Sequence, residues 1–199
     1  MNKFIQHDLT ADIVKTNNPR IGVIALSTDF TIEQDFRNIC HHNPVDIFVN
    51  RIPFENPLNH KNYLKMADHI SEVSSQILPS EDIDIVAYGC TSGTIAIGAD
   101  RIKEEVNKAK PKAKVTTPIT AAMKAFNHLG LKKIAVLTPY PKDVNATVYN
   151  YLIDNNINID SFSSFNLEYD SEIAQVSLAS LEKEISKIDL SNVDGLFVS

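Results

Sequence analysis

Short apolar runs that alternate with amphipathic stretches are the feature that most constrains the fold of this 199-residue chain. The runs are rich in β-branched residues, which is typical of parallel strands buried on both faces. They cover residues 21–26, 46–50, 83–88, 134–138, 159–165 and 195–198. The amphipathic stretches predict helices over residues 61–78, 119–129, 142–155 and 178–188. This alternation predicts an α/β fold with mostly parallel sheets flanked by helices.

A faint internal repeat runs through the same elements. Residues 20–24 resemble 133–137, residues 46–48 resemble 160–162, and residues 83–89 resemble 193–199. Strands of α/β proteins resemble one another, so each match is weak alone, but the three occur in order at nearly constant spacing. They predict two pseudo-symmetric halves, residues 1–112 and 113–199, with the boundary near the polar segment 110–114.

The two halves differ at their ends. In the first half the third strand leads directly into Cys90, whereas Ser199 stands one residue before the equivalent position in the second half. A strand that no helix follows is unusual in such a fold. We therefore expect the second half to be incomplete in this sequence.

Charge and cysteine content exclude several classes of function. The net charge of −6 argues against a nucleic-acid partner, because phosphate binding needs clustered Lys and Arg. No apolar run approaches the roughly 18 residues of a membrane helix, and the N-terminus lacks the apolar core of a signal peptide. Two cysteines cannot form a disulfide framework, so we expect a reducing, cytoplasmic environment. Nucleotide, P-loop and zinc motifs are missing, which argues against a cofactor or a metal.

The segment 88–94 (YGCTSGT) is the best candidate site. It follows a predicted buried strand, where open α/β sheets bind their ligands. If a helix begins near Ser92, Cys90 meets free backbone N–H groups and the positive end of the helix dipole, and both lower the pKa of a thiol. The alternative is a buried structural cysteine. We expect Cys40, which neighbours Phe36 and Ile39, to pack in the core, and iodoacetamide to label Cys90 much faster than Cys40 at pH 7.

Polar residues also follow other predicted strands. Asp29 follows the first strand, the segment 138–145 follows the fourth, and Asp170 lies shortly after the fifth. Because parallel strands end at the same edge of a sheet, these residues could converge between the two halves. Asp29 and Asp170 could equally cap helices, and both interpretations stay open at this point.

These motifs resemble the aspartate/glutamate racemase superfamily, in the branch of maleate cis-trans isomerase, arylmalonate decarboxylase and the ectoine-utilisation protein A group. The resemblance rests on residues 20–36 (RIGVIALSTDFTIEQDF), 88–94, 137–145 (LTPYPKDVN) and 166–176 (NLEYDSEIAQV). It implies two pseudo-symmetric halves with the active site between them and cofactor-free chemistry by two cysteines, one from each half. Cys90 matches the first cysteine, and the second would directly follow the last residue of this sequence.

Carried over residue by residue, the resemblance implies a role for each residue of the motif. Cys90 would be the nucleophile or an acid/base, and Tyr140 would donate a hydrogen bond to the substrate. The backbone of residues 91–94 (Thr91, Ser92, Gly93 and Thr94) would bind a substrate carboxylate.

Asp29 and Asp170 depart from the pattern of maleate isomerases. Those enzymes have asparagine where this chain has Asp29 and Asp170, and both amides bind substrate carboxylate there. Two aspartates would repel a dicarboxylate. The departure argues against maleate itself and favours a substrate with an amino group or fewer negative charges.

The resemblance therefore implies a cytoplasmic isomerase or racemase that uses no cofactor, acts on a small carboxylate through Cys90 and is compatible with a homo-oligomer. Two alternatives stay open. One is an arylmalonate-type decarboxylase, which Cys90 disfavours because the first cysteine is typically replaced in that branch. The other is a non-catalytic protein of this fold that binds a small molecule.

Overall fold

The computed structural model describes residues 4–199 and contains two parallel β-sheets flanked by helices. The first sheet has the order β2-β1-β3-β4 and comprises β1 (Arg20–Leu26), β2 (Asp46–Ile52), β3 (Ile85–Tyr88) and β4 (Lys114–Thr116). The second sheet has the order β6-β5-β7 and comprises β5 (Lys133–Thr138), β6 (Asn158–Ser164) and β7 (Gly195–Val198). Every neighbouring pair of strands is parallel. The predicted α/β fold with parallel sheets is confirmed.

The six predicted strands are all present, and their ends differ from the predictions by a few residues at most. The sequence did not predict β4, because its three residues lie in a polar segment without an apolar run. β4 lies on the C-terminal side of the predicted boundary at 112/113, yet it pairs with β3. The first sheet therefore extends past that boundary.

The two sheets are built alike. β1 and β5 are each flanked by the two strands that the internal repeat equates, namely β2 and β3 in one sheet and β6 and β7 in the other. The carboxylate of Asp84 accepts a hydrogen bond from Arg20 N at 2.8 Å, and Asp194 accepts one from Lys133 N at 2.9 Å. Both aspartates thus fix the start of a central strand at matching positions of the repeat.

The helices are α1 (Ile32–Cys40), α2 (His60–Lys65), α3 (Ile70–Ser75), α4 (Thr91–Ile97), α5 (Ala99–Ala109), α6 (Pro118–Leu129), α7 (Lys142–Asp154), α8 (Asp170–Ile173) and α9 (Leu178–Ile185). The prediction of one continuous helix over residues 61–78 is wrong, because a 3-10 turn at Met66–His69 separates α2 from α3. α2 packs against α4, whereas α3 packs against α5. The turn therefore changes the direction of the chain so that each helix can reach a different neighbouring helix. Within residues 4–199, no helix has the length and apolar character needed to cross a bilayer.

The predicted end of the helix over residues 119–129 is confirmed, and Gly130 directly follows α6 as its C-cap. Gly130 adopts a left-handed conformation with φ of 71°, which glycine reaches without steric cost. At the other end, the side chains of Thr117 and Thr120 form a reciprocal capping box with each other's backbone, and Pro118 occupies the first turn. These signals fix both ends of a helix that packs against α4.

α4 and α7 join the two halves of the core. Each sheet buries its own apolar cluster, one around Ile24 and the other around Ile134. Val144 of α7 is buried in the first cluster, and Ile95 of α4 packs against the second. Because α4 contacts helices from both halves, Cys90, which directly precedes it, lies between the two sheets.

Candidate active site

A pocket of about 150 Å³ lies where the carboxyl ends of strands from both sheets meet. The loops after β1, β3, β5 and β6 contribute to it, as expected for ligand sites of parallel sheets. It is lined by Leu26, Asp29, Leu58, Tyr63, Gly89, Cys90, Thr91, Ser92, Pro139, Tyr140, Asp170, Ile173 and Ser199. All of the predicted site residues except Gly93 and Thr94 line this pocket. Gly93 lies outside the lining and donates a backbone hydrogen bond to Cys90 Sγ.

Cys90 is the N-cap residue of α4 and is 9% exposed. Its extended backbone ends the strand, and its Sγ accepts a hydrogen bond from Gly93 N at 3.2 Å. Gly93 leaves no room for a side chain, since a Cβ there would lie 2.9 Å from Cys90 Sγ and 2.7 Å from Met66 Cε. The sequence motif thus folds into a turn that holds one sulfur atom against the first turn of a helix.

The expectation of a low Cys90 pKa is wrong for the free protein. Burial raises the pKa of the Cys90 thiol to about 12, and the carboxylates of Asp170 and Asp29 add to the rise. The N–H groups of Gly93 and Ser92 act in the opposite direction, but they do not offset the loss of hydration. The cysteine is therefore a neutral thiol at neutral pH.

The expectation that Cys40 packs in the core is also wrong. α1 has no buried residue, its Ile39 is 77% exposed, and Cys40 itself is half-buried at the end of the helix. The apolar residues around Cys40 suggested packing, but Ile39 is exposed to solvent, and Phe36 and Cys40 are only half-buried.

The two cysteines should therefore be labelled in the opposite order from the sequence-based expectation. In the free protein at pH 7, iodoacetamide should modify Cys40 before Cys90, because the reactive thiolate is scarce at Cys90 and its sulfur is buried. Peptide mass spectrometry after timed labelling measures the order. Faster modification of Cys90 would contradict the burial and the raised pKa described above.

Two tyrosines present hydroxyl groups to the pocket. Tyr140 OH lies 2.9 Å from Ser199 Oγ, and burial raises its pKa. Burial likewise raises the pKa of Tyr63, which lies in the amphipathic stretch 61–78 and was not among the predicted site residues. A tyrosine in a core position needs a partner for its hydroxyl, and that requirement was the available signal. Both phenols stay protonated at neutral pH and can donate hydrogen bonds.

Ser92 carries a buried hydroxyl with no partner. The residue is 3% exposed, and no residue in the described range 4–199 forms a hydrogen bond of acceptable distance and angle with its Oγ. The hydroxyls of Tyr63 and Tyr140 are its polar neighbours, and Ser92 lowers the pKa of both without offsetting their burial. An unsatisfied buried hydroxyl costs about 1–3 kcal/mol, and such groups are uncommon in native proteins. Because Ser92 lines the pocket, a polar ligand atom there would satisfy its hydroxyl.

The two aspartates each use one oxygen for local structure. Asp29 Oδ1 accepts hydrogen bonds from Thr31 N at 2.8 Å and Ile32 N at 3.0 Å, so Asp29 fixes the start of α1 and also lines the pocket. Asp170 Oδ2 accepts a hydrogen bond from Thr28 Oγ1. Burial raises the pKa of Asp170, the Thr28 hydroxyl lowers it, and the nearby Asp29 raises it. Both interpretations left open for Asp29, capping and pocket lining, therefore hold in the structure.

Arg51 positions the loop that carries Asp29, and the sequence analysis missed it. Its guanidinium donates to the carbonyl oxygens of Leu26, at 3.0 Å, and of Asp29, and forms an ion pair with Glu33 at 2.5 Å. An arginine in a strand carries no sequence signal of this role. Across residues 4–199, no group of three or more His, Cys, Asp or Glu could hold a metal ion.

Comparison with known proteins gives maleate isomerases as relatives. The maleate isomerase of Geobacillus stearothermophilus is 24% identical over 192 residues, covering 90% of this chain and 76% of the relative. The crystal structure of the maleate isomerase Iso from Pseudomonas putida superimposes with a TM-score of 0.79 at 18% identity, covering 90% of this chain and 77% of that one. A Nocardia farcinica maleate cis-trans isomerase mutant with a covalently bound succinylcysteine intermediate gives 0.80 at 17% identity, with the same coverage.

The family follows from a match over most of the sequence. A family model described as arylmalonate decarboxylase matches residues 56–199, which include Cys90, Tyr140 and Asp170. Since this match spans more than half of the chain, the chain belongs to the arylmalonate decarboxylase family, in the branch of the aspartate/glutamate racemase superfamily that also holds the maleate isomerases.

Proposed function

We propose that this protein is a cofactor-independent isomerase or racemase that acts on a small carboxylate through Cys90. The observation that carries the proposal is the position of Cys90 Sγ in a small pocket whose other polar groups include Tyr140 and the unpartnered Ser92 hydroxyl. The relatives support it, since they include maleate isomerases.

The pocket suits a carboxylate on which negative charge develops. Tyr63 and Tyr140 remain O–H donors because burial raises the pKa of both, and Ser92 adds a third hydroxyl. Donors that are already oriented stabilise developing charge without reorganisation. The substrate carboxylate would meet these hydroxyl groups while its reacting carbon faces Cys90 Sγ.

Two reactions are open to Cys90 in its thiolate form, which is the minor form in the free protein. In a racemisation, the thiolate takes the proton beside the carboxylate, so that a C–H bond breaks, an S–H bond forms and the electron pair moves into the carboxylate as an enediolate. In a cis-trans isomerisation, the thiolate adds to one carbon of the double bond and the π electron pair moves into the carboxylate on the other carbon as an enediolate. The C–C single bond then rotates, and the electron pair returns to form the trans double bond as the S–C bond breaks and the thiolate leaves. The succinylcysteine intermediate of the Nocardia farcinica relative supports the second route.

The proposal is tested by incubating the protein with small carboxylates in D₂O and following the reaction by proton NMR. A racemase exchanges the proton beside the carboxylate for deuterium, and an isomerase converts a cis double bond to trans. The match to the arylmalonate decarboxylase model keeps a decarboxylase as a second candidate, which would release CO₂ from a substituted malonate. If the protein catalyses none of these reactions on any small carboxylate, the proposal is contradicted.

Tyr140→Phe should lower kcat/KM by about 10- to 100-fold, because it removes one donor to the developing charge and keeps the ring. The matched control is Tyr149→Phe, which alters an exposed tyrosine of α7 and should leave kcat/KM unchanged. Steady-state kinetics on both variants measure the effect. Equal activity of the two variants would mean that the Tyr140 hydroxyl does not contact the reacting substrate.

A further inference from the structure

The electrostatic character of the pocket is acidic. Asp29 and Asp170 both line it, and none of the residues that line it within the described range 4–199 is Lys, Arg or His. A ligand with two carboxylates would therefore face two like charges with no cation to balance them. A cationic group on the ligand would instead be attracted to this side of the pocket.

Each aspartate has one oxygen available to such a group. Asp29 Oδ1 is occupied by the N–H groups of Thr31 and Ile32, and Asp170 Oδ2 by the Thr28 hydroxyl. The second oxygen of each carboxylate makes no hydrogen bond to another residue between 4 and 199. The Thr28 hydroxyl and the Arg51 contacts to the same loop hold the two carboxylates in place.

The unpartnered Ser92 hydroxyl is an independent sign that a polar ligand belongs in this pocket. It is a donor for a carboxylate, whereas the free aspartate oxygens are acceptors for an ammonium group. We propose that Asp29 and Asp170 form an ammonium subsite, so that the substrate of the proposed reaction is an amino-carboxylate whose carboxylate meets Ser92 and Tyr140. This inference rests on the proposed function and narrows its substrate class.

An ammonium group at this position would also act on the thiol. Burial is the main cause of the raised pKa of Cys90, and the charges of Asp170 and Asp29 add to it, so a cation between the two carboxylates would offset the charge-related part of the rise. A substrate of this class would thus promote ionisation of the cysteine that reacts with it. A dicarboxylate would have the opposite effect on the thiol.

The test compares 4-aminobutyrate, DL-2-aminobutyrate, butyrate and succinate, which have equal chain length and differ in charge. Their dissociation constants are measured by calorimetry on the Cys90→Ala variant, so that no chemistry is needed. An aminobutyrate should bind at least about tenfold more tightly than succinate or butyrate. Asp170→Asn should remove this preference, and Asp29→Asn should weaken it while keeping Oδ1 as the cap of α1. Asp35→Asn, which alters an exposed aspartate of α1 with the same change of net charge, should keep it.

Tighter binding of succinate, a preference that survives in Asp170→Asn, or no binding of either aminobutyrate at about 10 mM would overturn the inference. Thermal unfolding of each variant checks that it is folded. The outcomes also separate this inference from the proposed function. Turnover of a dicarboxylate that does not respond to Asp170→Asn would remove the subsite and keep the isomerase. Asp170-dependent aminobutyrate binding without turnover of any amino-carboxylate would keep the subsite and remove the isomerase.

Discussion

Cys90→Ala is expected to reduce turnover by at least about 10³-fold, the scale of losses found when a nucleophile is removed. Cys90 presents the one nucleophilic sulfur among the residues that line the pocket within the described range 4–199. Neither the tyrosine phenols nor the Ser92 hydroxyl can replace it, because the pKa of both phenols is raised and no basic residue stands beside Ser92. The rate is measured by deuterium incorporation or by cis-trans conversion, on the substrate that the wild-type protein turns over.

Cys40→Ala is the matched control for this prediction. It removes the other thiol of the chain, which is half-buried at the end of α1 and does not line the pocket. Its kcat and KM should equal those of the wild type. Undiminished turnover by Cys90→Ala would exclude cysteine-based catalysis and show that other groups of the pocket carry the reaction.

Gly93→Ala is expected to impair both stability and activity. In an ordinary helix this substitution gains about 1 kcal/mol. Here the added methyl group would lie 2.7 Å from Met66 Cε, 2.9 Å from Cys90 Sγ and 3.2 Å from Tyr88 OH. The flexible end of Met66 can move, but the sulfur and the fully buried Tyr88 cannot move without disturbing the pocket. Overpacking of this kind costs about 1–3 kcal/mol, so after the gain in helix propensity we expect a net loss of up to about 2 kcal/mol in the free energy of unfolding.

The loss of activity in Gly93→Ala should exceed the loss of folded protein. A displacement of about 1 Å in a reacting group can cost a factor of about 100 in rate. Gly22→Ala serves as the control, since its methyl group would press on the side chain of Ile77 at 3.3 Å, away from the pocket. Gly22→Ala should change the urea concentration at the midpoint of unfolding without changing kcat. Wild-type kcat in Gly93→Ala would show that the position of the sulfur tolerates more variation than its contacts suggest.

The sequence predicted the parts of this protein that depend on local pattern. Apolar runs located six strands, and Gly130 located the end of α6. The sequence did not predict β4, because a strand of three residues within a polar segment shows no periodic pattern. It also did not predict the 3-10 turn at Met66–His69, because that turn depends on which helices α2 and α3 pack against. Long-range packing partners cannot be read from local periodicity.

The candidate site was predictable in position but not in electrostatics. Cys90, Tyr140 and both aspartates lie at strand ends, and strand ends converge in a parallel fold. The pKa of Cys90 depends on how much water the second half of the chain excludes, and no motif around residue 90 contains that information. Tyr63 was missed for a related reason, since its position on a helical face looks the same whether it packs in a core or lines a pocket.

The position of Cys90 between the two sheets makes its thiol a probe of breathing motions. Its sulfur is covered by α4, which contacts helices of both halves. A small reagent can approach it through the pocket, as a substrate would, whereas a thiol reagent too bulky for the pocket can reach it only when the halves separate or the first turn of α4 unravels. When reclosing is faster than the chemical step, the modification rate divided by the rate for an exposed thiol gives the equilibrium constant for opening. The slow thiol of the free protein can thus measure how much free energy holds the two halves together.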